Sequence, residues 1–334
     1  MAEAIRLPSG RAIGEGHAPF IICEIGSNWQ TLEDCRNSIV QAKACGADAV
    51  KFQAYTADAL YGANPGGYLE HFGKVNQGAL PLEWLPNLKA KADSVGIELM
   101  CSAFSPGLVD AVNPFVSIHK VASAECTHLR MLERLAKIGK PVLLSTGAHG
   151  LEDIGAALSV LKATPTVLLY CVAAYPAREV DFGCMEALSV QFNRLVGYSD
   201  HSTDALHLPQ LAAASGAHVI EKHVTFISAA TPDSPHSLDA REFQHMVDYL
   251  RGKRTTRVGP TPAERPMLLR HNRRLIATQD IAAGAKLTEG ENFGIYRSLK
   301  DDTHAFHPFM VDEVTGKPAK RAIRAGDGIG PGDV

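Results

Sequence analysis

Nowhere in the 334 residues is there an apolar run of about 18, the minimum for a membrane-spanning helix, so none is expected. The opening residues, MAEAIRLPSG, lack the apolar stretch of a secretory leader, so neither export nor anchoring is expected. Charge of one sign is also missing. With 33 Lys+Arg against 36 Asp+Glu and a formal net charge of -3, there is neither the basic excess of a nucleic-acid binder nor a polybasic membrane signal. A small anionic substrate stays compatible with this balance, because it needs only a locally positive pocket. Cysteine is sparse: seven, an odd number, run from Cys23 to Cys184 without CxxC or zinc-type spacing. This excludes a disulfide scaffold and reads as buried free thiols in a reducing compartment, as in a cytoplasmic enzyme.

The length suggests about two domains, and 46% hydrophobic with 21% charged residues is enough apolar material for a full core. From about residue 19 to 226, eight short apolar runs alternate with helical periodicity: FIICEIG, AVKFQAY, ELMCSAF, SIHKVAS, VLLSTG, VLLYCVA, LVGYSD and HVIEKHV. The helical segments TLEDCRNSIVQAKACG and LRMLERLAKIG each close on the Gly expected just past a helix end. Eight such units predict a closed (β/α)8 TIM barrel, with an open doubly wound sheet as the alternative. The barrel is preferred because almost every strand ends in a polar or ionisable residue, where barrel enzymes carry their chemistry.

After residue 252 the stretch KRTTRVGPTPAERP reads as a linker. The expected division is a catalytic barrel over 1–260, a linker over 261–272 and a small β-rich domain over 273–334. That domain carries a weak repeat, in which 277–292 aligns on 319–334 with Ala277/Ala319, Ile281/Ile323, Ala283/Ala325, Gly284/Gly326 and Gly290/Gly332 identical. Two similar β-turn-β pieces about a pseudo-twofold axis are predicted, with chance likeness between Ala/Gly-rich segments as the alternative. So small a domain is near the lower limit for independent stability and is expected to dock on something.

Residues i and i+2 of a strand share a face, so Lys51 with Gln53, Ser102 with Phe104, Ser199 with His201 and Glu221 with His223 are predicted to project together. Lys120, Ser123, Glu125 and Ser145 lie at or just beyond two further strand ends. A lysine in an apolar strand is costly to bury without an anion, so Lys51 and Lys120 point to a phosphate or carboxylate ligand. Internal pairing with Glu24 or Glu125 is the competing explanation. Ser145-Thr146-Gly147 and Ser199 add hydroxyls and backbone N–H groups near helix starts, a common phosphate provision. His201 and His223, on neighbouring strands, are candidate ligands of one metal ion with open positions, or else plain acid/base or core histidines. Glu24 and Glu221 are the carboxylates best placed for proton transfer, with structural ion pairing as the alternative. Cys23, Cys101 and Cys171 read as core. His149, His207 and His245 read as surface, and His119 and His236 are left undecided.

Taken in order, EIGSNW, KFQAY, CSAFS, KVASAE, LLSTG, CVAAYPA, GYSDHS, GAHVIEKHVTF and PDSPHSL resemble the sialic (nonulosonic) acid synthases. The following RRLIATQDIAAGAKLT resembles the antifreeze-like, or SAF, domain that such enzymes carry. The resemblance implies a metal-dependent condensation of phosphoenolpyruvate with an N-acylated hexosamine. It implies His201 and His223 as ligands of a divalent metal, Mn2+ first, with Mg2+ or Co2+ as substitutes. It makes Lys51, Ser102, Lys120, Ser123, Ser145 and Ser199 the phosphoenolpyruvate contacts, and Gln53, Glu125, Tyr175 and Asp233 the sugar contacts. Glu24 and Glu221 would be the acid/base carboxylates. A homodimer is also implied, in which one chain's SAF domain caps the other's barrel and contributes Arg297. Ala173 in CVAAYP replaces the Asn usual in the sialate branch, and Arg297 begins RSLKDD instead of preceding Pro-Gly. The acceptor is therefore open between N-acetylmannosamine and a pseudaminic or legionaminic precursor. A phosphoenolpyruvate-dependent 3-deoxy-ulosonate synthase and a catalytically silent sugar-binding protein are the alternatives.

Overall fold

The computed structural model describes residues 3–62, 75–76, 78–252, 264, 272–298, 300 and 302–334. Of the linker expected at 261–272, all but 264 and 272 lie outside the described residues. The chain divides into two compact units, Met1–Arg254 and Thr255–Val334.

Unit 1 is a closed parallel barrel of eight strands. A short antiparallel hairpin, β1 (Ile5–Arg6) and β2 (Ala12–Ile13), precedes it. The barrel strands are β3 (Phe20–Gly26), β4 (Ala49–Ala54), β5 (Glu98–Ala103), β6 (His119–Val121), β7 (Val142–Ser145), β8 (Thr166–Tyr170), β9 (Leu195–Asp200) and β10 (Val219–His223). They follow in sequence order round the barrel, and β10 closes against β3. Each predicted apolar run thus becomes one strand. Helices return the chain after every strand, from Leu32–Ala44 to Ala240–Leu250. The first starts on a capping box in which Thr31 and Asp34 satisfy each other's backbone N–H groups.

Strand parity sorts the side chains. Phe20 and Ile22 of β3, with Ala49, Met100, Ile118, Leu143, Val167, Leu169, Leu195 and Val219, fill the lower barrel interior. Ile5, Leu7 and Ile13 join this cluster from the N-terminal hairpin and its flank, a plug the sequence pattern had not suggested. The alternate residues Ile21, Cys23, Ile25, Val50, Phe52 and Ile220 face the helices in the main core. Each large side chain buried this way contributes roughly 1.5–3 kcal/mol. One step further along the inward-facing rows the side chains turn polar, and that polar layer is the site described below. Among the described residues no helix is long and apolar enough to cross a membrane.

Unit 2 contains the antiparallel pair β11 (Arg273–Ala277) and β12 (Phe293–Arg297), above a core that includes Leu275, Leu287, Phe293 and Ile329. The predicted pseudo-twofold is present. Ile281 and Ile323, equivalent positions of the repeat, exchange both backbone hydrogen bonds, at 2.8 and 2.9 Å. The bonds Ala277 N–H to Asp327 and Ala319 N–H to Ala285 are symmetry mates, as are Gly284 N–H to Ala319 and Gly326 N–H to Ala277.

Candidate active site

At the C-terminal end of the barrel, a cavity of about 270 Å³ is lined by Glu24, Lys51, Gln53, Ser102, Lys120, Ser123, Ser145, Tyr175, Ser199, His201, Glu221 and His223, with Phe104 and Ala173. A larger cleft of about 920 Å³ opens at the opposite end among Arg6, Arg11, Asp48, Asp93 and Lys140. Arg11 there is already bound to Asp48, and Lys140 to the Asn113 and Val116 carbonyls, so the free chemistry lies in the smaller cavity.

Register builds the polar layer. Glu24 stands beside Lys51 across β3–β4, Gln53 beside Ser102, Ser102 beside Lys120, and Ser199 beside Glu221. Lys51 reaches Glu24 Oε2 at 2.8 Å and donates to Ser102 Oγ at 2.9 Å. Gln53 donates to the other oxygen of Glu24 at 2.6 Å. Pairing of Lys51 with Glu24, one of the two explanations offered by the sequence, is therefore present. Lys120 differs: it does not pair with Glu125, and its nearest carboxylate is Glu221 Oε1, 3.8 Å away. Lys51 lies 3.8 Å from the same atom, and Ser199 donates to it at 3.0 Å. Both lysines are nearly sealed from solvent, 2% and 5% exposed. Ser145 Oγ and Glu221 Oε2 are buried with no hydrogen-bond partner among the described residues.

The two carboxyls titrate apart. Burial, reinforced by Glu221 and opposed by Lys51, raises Glu24 to about 7. Burial works to raise Glu221 as well, but Lys120 and then Lys51 outweigh it and hold that carboxyl below its ordinary value. Burial lowers Lys120, whereas for Lys51 the two glutamates overcome burial and raise it.

The imidazoles sit on one side of the mouth. His201 Nδ1 lies 2.9 Å from the Val172 carbonyl, which can only accept, so Nδ1 carries the proton and Nε2 offers its lone pair toward the Tyr175 hydroxyl at 3.2 Å. Tyr175 stacks on this ring with centroids 4.2 Å apart. The His223 ring centre is 5.9 Å from that of His201 and 4.8 Å from that of His236. Burial, then His201 and His236, push His223 well below the ordinary imidazole range, and burial lowers His201 as well. Neutral imidazoles with an available lone pair, one fixed by a backbone carbonyl behind it, fit a divalent cation. His223, Asp233 and His236 each offer a ligand atom within 4.8 Å of the others.

The remaining expected residues fall as follows. Ser123 accepts from the Gly147 N–H at 3.0 Å and touches Cys171 Sγ at 3.0 Å. Glu125 is buried at the end of the turn Ser123–Glu125, and burial raises its carboxyl. Asp233 accepts from the Ser27 N–H at 2.8 Å. Arg297 is exposed in unit 2, at the end of β12. Two readings need correction. Cys184 is exposed, not buried. His149, expected at the surface, is partly buried and meets the Ser123 carbonyl at 2.9 Å. His236, left undecided, joins the mouth, while His119 is a core histidine that burial lowers to about 4 and that meets Asn113 at 3.2 Å.

Comparison with known proteins follows the same division. The model of the NeuB family matches residues 38–258 and that of the SAF domain matches 272–334. Pseudaminic acid synthase of Campylobacter jejuni serotype O:2 is 32% identical over 336 residues, covering 94% of this chain and 96% of its own. N,N'-diacetyllegionaminic acid synthase of Legionella pneumophila is 30% identical, covering 83% and 85%. The crystal structure of N-acetylneuraminic acid synthetase from Leptospira borgpetersenii, in complex with citrate, superposes with a TM-score of 0.70 at 29% identity, over 80% of this chain and 96% of that one.

Proposed function

The chain belongs to the NeuB family, that of the nonulosonic acid synthases, and on that premise we propose that it condenses phosphoenolpyruvate with an N-acylated hexosamine. The product is a nine-carbon 2-keto-3-deoxy sugar acid, and inorganic phosphate is released. The observation that carries this reading is Lys120, a buried cation with no carboxylate closer than 3.8 Å among the described residues, beside a second buried lysine and a Ser145 hydroxyl that has no partner among them. A buried charge so placed is stabilised by an anion that arrives from solution.

Lys51 and Lys120 hold the phosphate and carboxylate of phosphoenolpyruvate, with Ser102, Ser123, Ser145 and Ser199 as hydroxyl contacts. His201 and His223 would hold a divalent cation, Mn2+ first, which would supply Lewis acidity toward the acceptor aldehyde. Gln53, Glu125, Tyr175 and Asp233 face the sugar and set its aldehyde carbon against the phosphoenolpyruvate methylene, so that the C–C bond forms between them. Water then adds at C2, and phosphate leaves with cleavage of its C–O bond. Glu24, poised near neutrality, takes the proton from that water, while Glu221 stays ionised between the lysines and balances their charge. Arg297 reaches the sugar from the SAF domain of a second copy in a homodimer. The seven free thiols support a cytoplasmic location.

One position bears on the choice of acceptor. Ala173 lines the cavity and offers no polar contact, which favours a deoxygenated diacetamido hexose over N-acetylmannosamine. Phosphate release from phosphoenolpyruvate with Mn2+, with and without chelator, is measured across both sugar classes and with a phosphorylated aldose. Chelator-sensitive release, faster with a diacetamido-trideoxy hexose, is expected. No release with any of them overturns the synthase reading and favours a sugar-binding protein, and release only with a phosphorylated aldose favours the 3-deoxy-ulosonate alternative.

A further inference from the structure

The cleft of about 920 Å³ at the lower end of the barrel lies within unit 1 and shares no residue with the candidate active site. Five basic and three acidic side chains line it. The acids are already engaged. Asp48 takes Arg11 at 2.9 Å and is also held by Arg251, Asp93 takes Lys89 at 2.5 Å, and Glu98 accepts from the Ser117 hydroxyl at 2.6 Å. Asp48, shared between two guanidinium groups, cancels the charge of only one.

Arg6, Lys43 and Lys140 are left without an ion pair among the described residues. Lys43, in the last turn of the helix Leu32–Ala44, donates to the Gly96 carbonyl at 2.6 Å. Lys140 donates to the Asn113 and Val116 carbonyls at 2.6 and 2.8 Å. Carbonyls satisfy hydrogens of an ammonium group but do not cancel its charge, and each of these lysines keeps at least one N–H to give. The same bonds hold the two ammonium groups in place, so little side-chain freedom is lost when a ligand meets them. Burial holds Lys140 below its ordinary value, the direction expected of a cation short of an anion. What the cleft offers is uncancelled positive charge, on a chain whose formal net charge is -3.

The rest of the lining is apolar and stiff: Pro8, Pro114, Phe115 and Pro141, with Ile97 and Val116 behind them. A concave volume of this size is that of a small-molecule site. Several cations favour a ligand with more than one negative charge, and the Phe115 and proline walls favour one whose charge is attached to a ring.

We propose that the lower cleft is a second ligand site, which takes an organic phosphate carrying several charges on a ring-bearing body, with Arg6, Lys43 and Lys140 as its cations. It needs neither the metal nor either substrate of the barrel mouth, and it stands whether or not the synthase reading holds.

The test is calorimetric titration of the full-length protein, in metal-free buffer, with ATP and with inorganic pyrophosphate as probes. ATP is expected to bind about tenfold more tightly than pyrophosphate, a margin that burial of only ~55 Å² of apolar surface supplies. Lys43→Met and Lys140→Met are each expected to weaken ATP by about tenfold, the worth of one hydrogen bond to a charged group. Lys120→Ala, at the other end of the barrel, is expected to leave ATP affinity unchanged. Loss of ATP binding in Lys120→Ala with retention in Lys43→Met would place the anion at the mouth and overturn the proposal. Absence of binding by either probe overturns it as well, and so does pyrophosphate binding as tightly as ATP, which would leave the apolar walls without a role. If Lys140→Met does not fold, Lys43→Met and Arg6→Gln, both at exposed positions, decide: wild-type ATP affinity in both overturns the assignment.

Discussion

Glu24 and Glu221 occupy the same polar layer, yet their neighbours drive them in opposite directions. Glu24 shares one lysine with Gln53, and burial dominates. Glu221 has two lysines within 3.8 Å, and the cations dominate. The sign of the linkage follows. The folded chain holds the Glu24 proton more tightly than the unfolded chain, so that contribution is complete below about 4.5 and is lost as pH rises through about 7. Glu24→Gln does not titrate. The melting temperature of ligand-free wild type is therefore expected to fall relative to Glu24→Gln between pH 5 and 8, by at most about 3 kcal/mol in stability. Parallel melting curves across that range would contradict the assignment. For Lys120→Ala, calorimetry should show phosphoenolpyruvate binding weakened by about 2–5 kcal/mol. Unchanged affinity would remove this lysine from the site.

The strands were legible because each is a short apolar run with a polar end, and period-two parity then told which polar residues share a pocket. The same rule explains Lys222, a third lysine in an apolar strand. Its parity is opposite to Glu221 and His223, so it points away from the mouth and is consumed by Asp200 at 2.7 Å and the Ser202 carbonyl at 2.6 Å. His236 escaped because a three-residue turn has neither the strand nor the helix period, and Pro235 beside it reads only as a breaker. The N-terminal hairpin escaped because its strands of two residues are too short to show alternation. The end of β3 supplies an element-scale prediction. Gly26 has φ 55°, a left-handed conformation. Gly26→Ala is expected to cost about 1 kcal/mol and to displace Asp233. Thermal melts check the first effect and the sugar KM the second; an unchanged sugar KM would show that the strand end tolerates the methyl group.

At the scale of the whole molecule, the barrel was readable from eight repeats of one pattern and the pseudo-twofold of the small domain from its internal repeat, whose paired Ile281 and Ile323 lie on that axis, while the SAF identity came from the resemblance of RRLIATQDIAAGAKLT. What could not be read is how far each loop reaches into the mouth, since loop geometry has no periodicity. Arg297 tests the cross-domain part of the proposal. Arg297→Ala should raise the sugar KM by about tenfold or more while leaving phosphoenolpyruvate affinity unchanged, because a cation acting on only one substrate contributes a charged hydrogen bond to that substrate alone. Equal sugar kinetics would take Arg297 out of the site.

The apolar plug in the lower barrel has an electrical consequence. Ile5, Leu7, Ile13, Phe20 and the layers above them form a floor of low polarisability beneath Lys51 and Lys120. Field lines from those cations cannot spread downward through hydrocarbon and are channelled out of the open end. Below about pH 7, where Glu24 carries its proton, one carboxylate faces the two lysines. A chain that is slightly acidic as a whole thus presents an attractive port to anions at one end of its barrel.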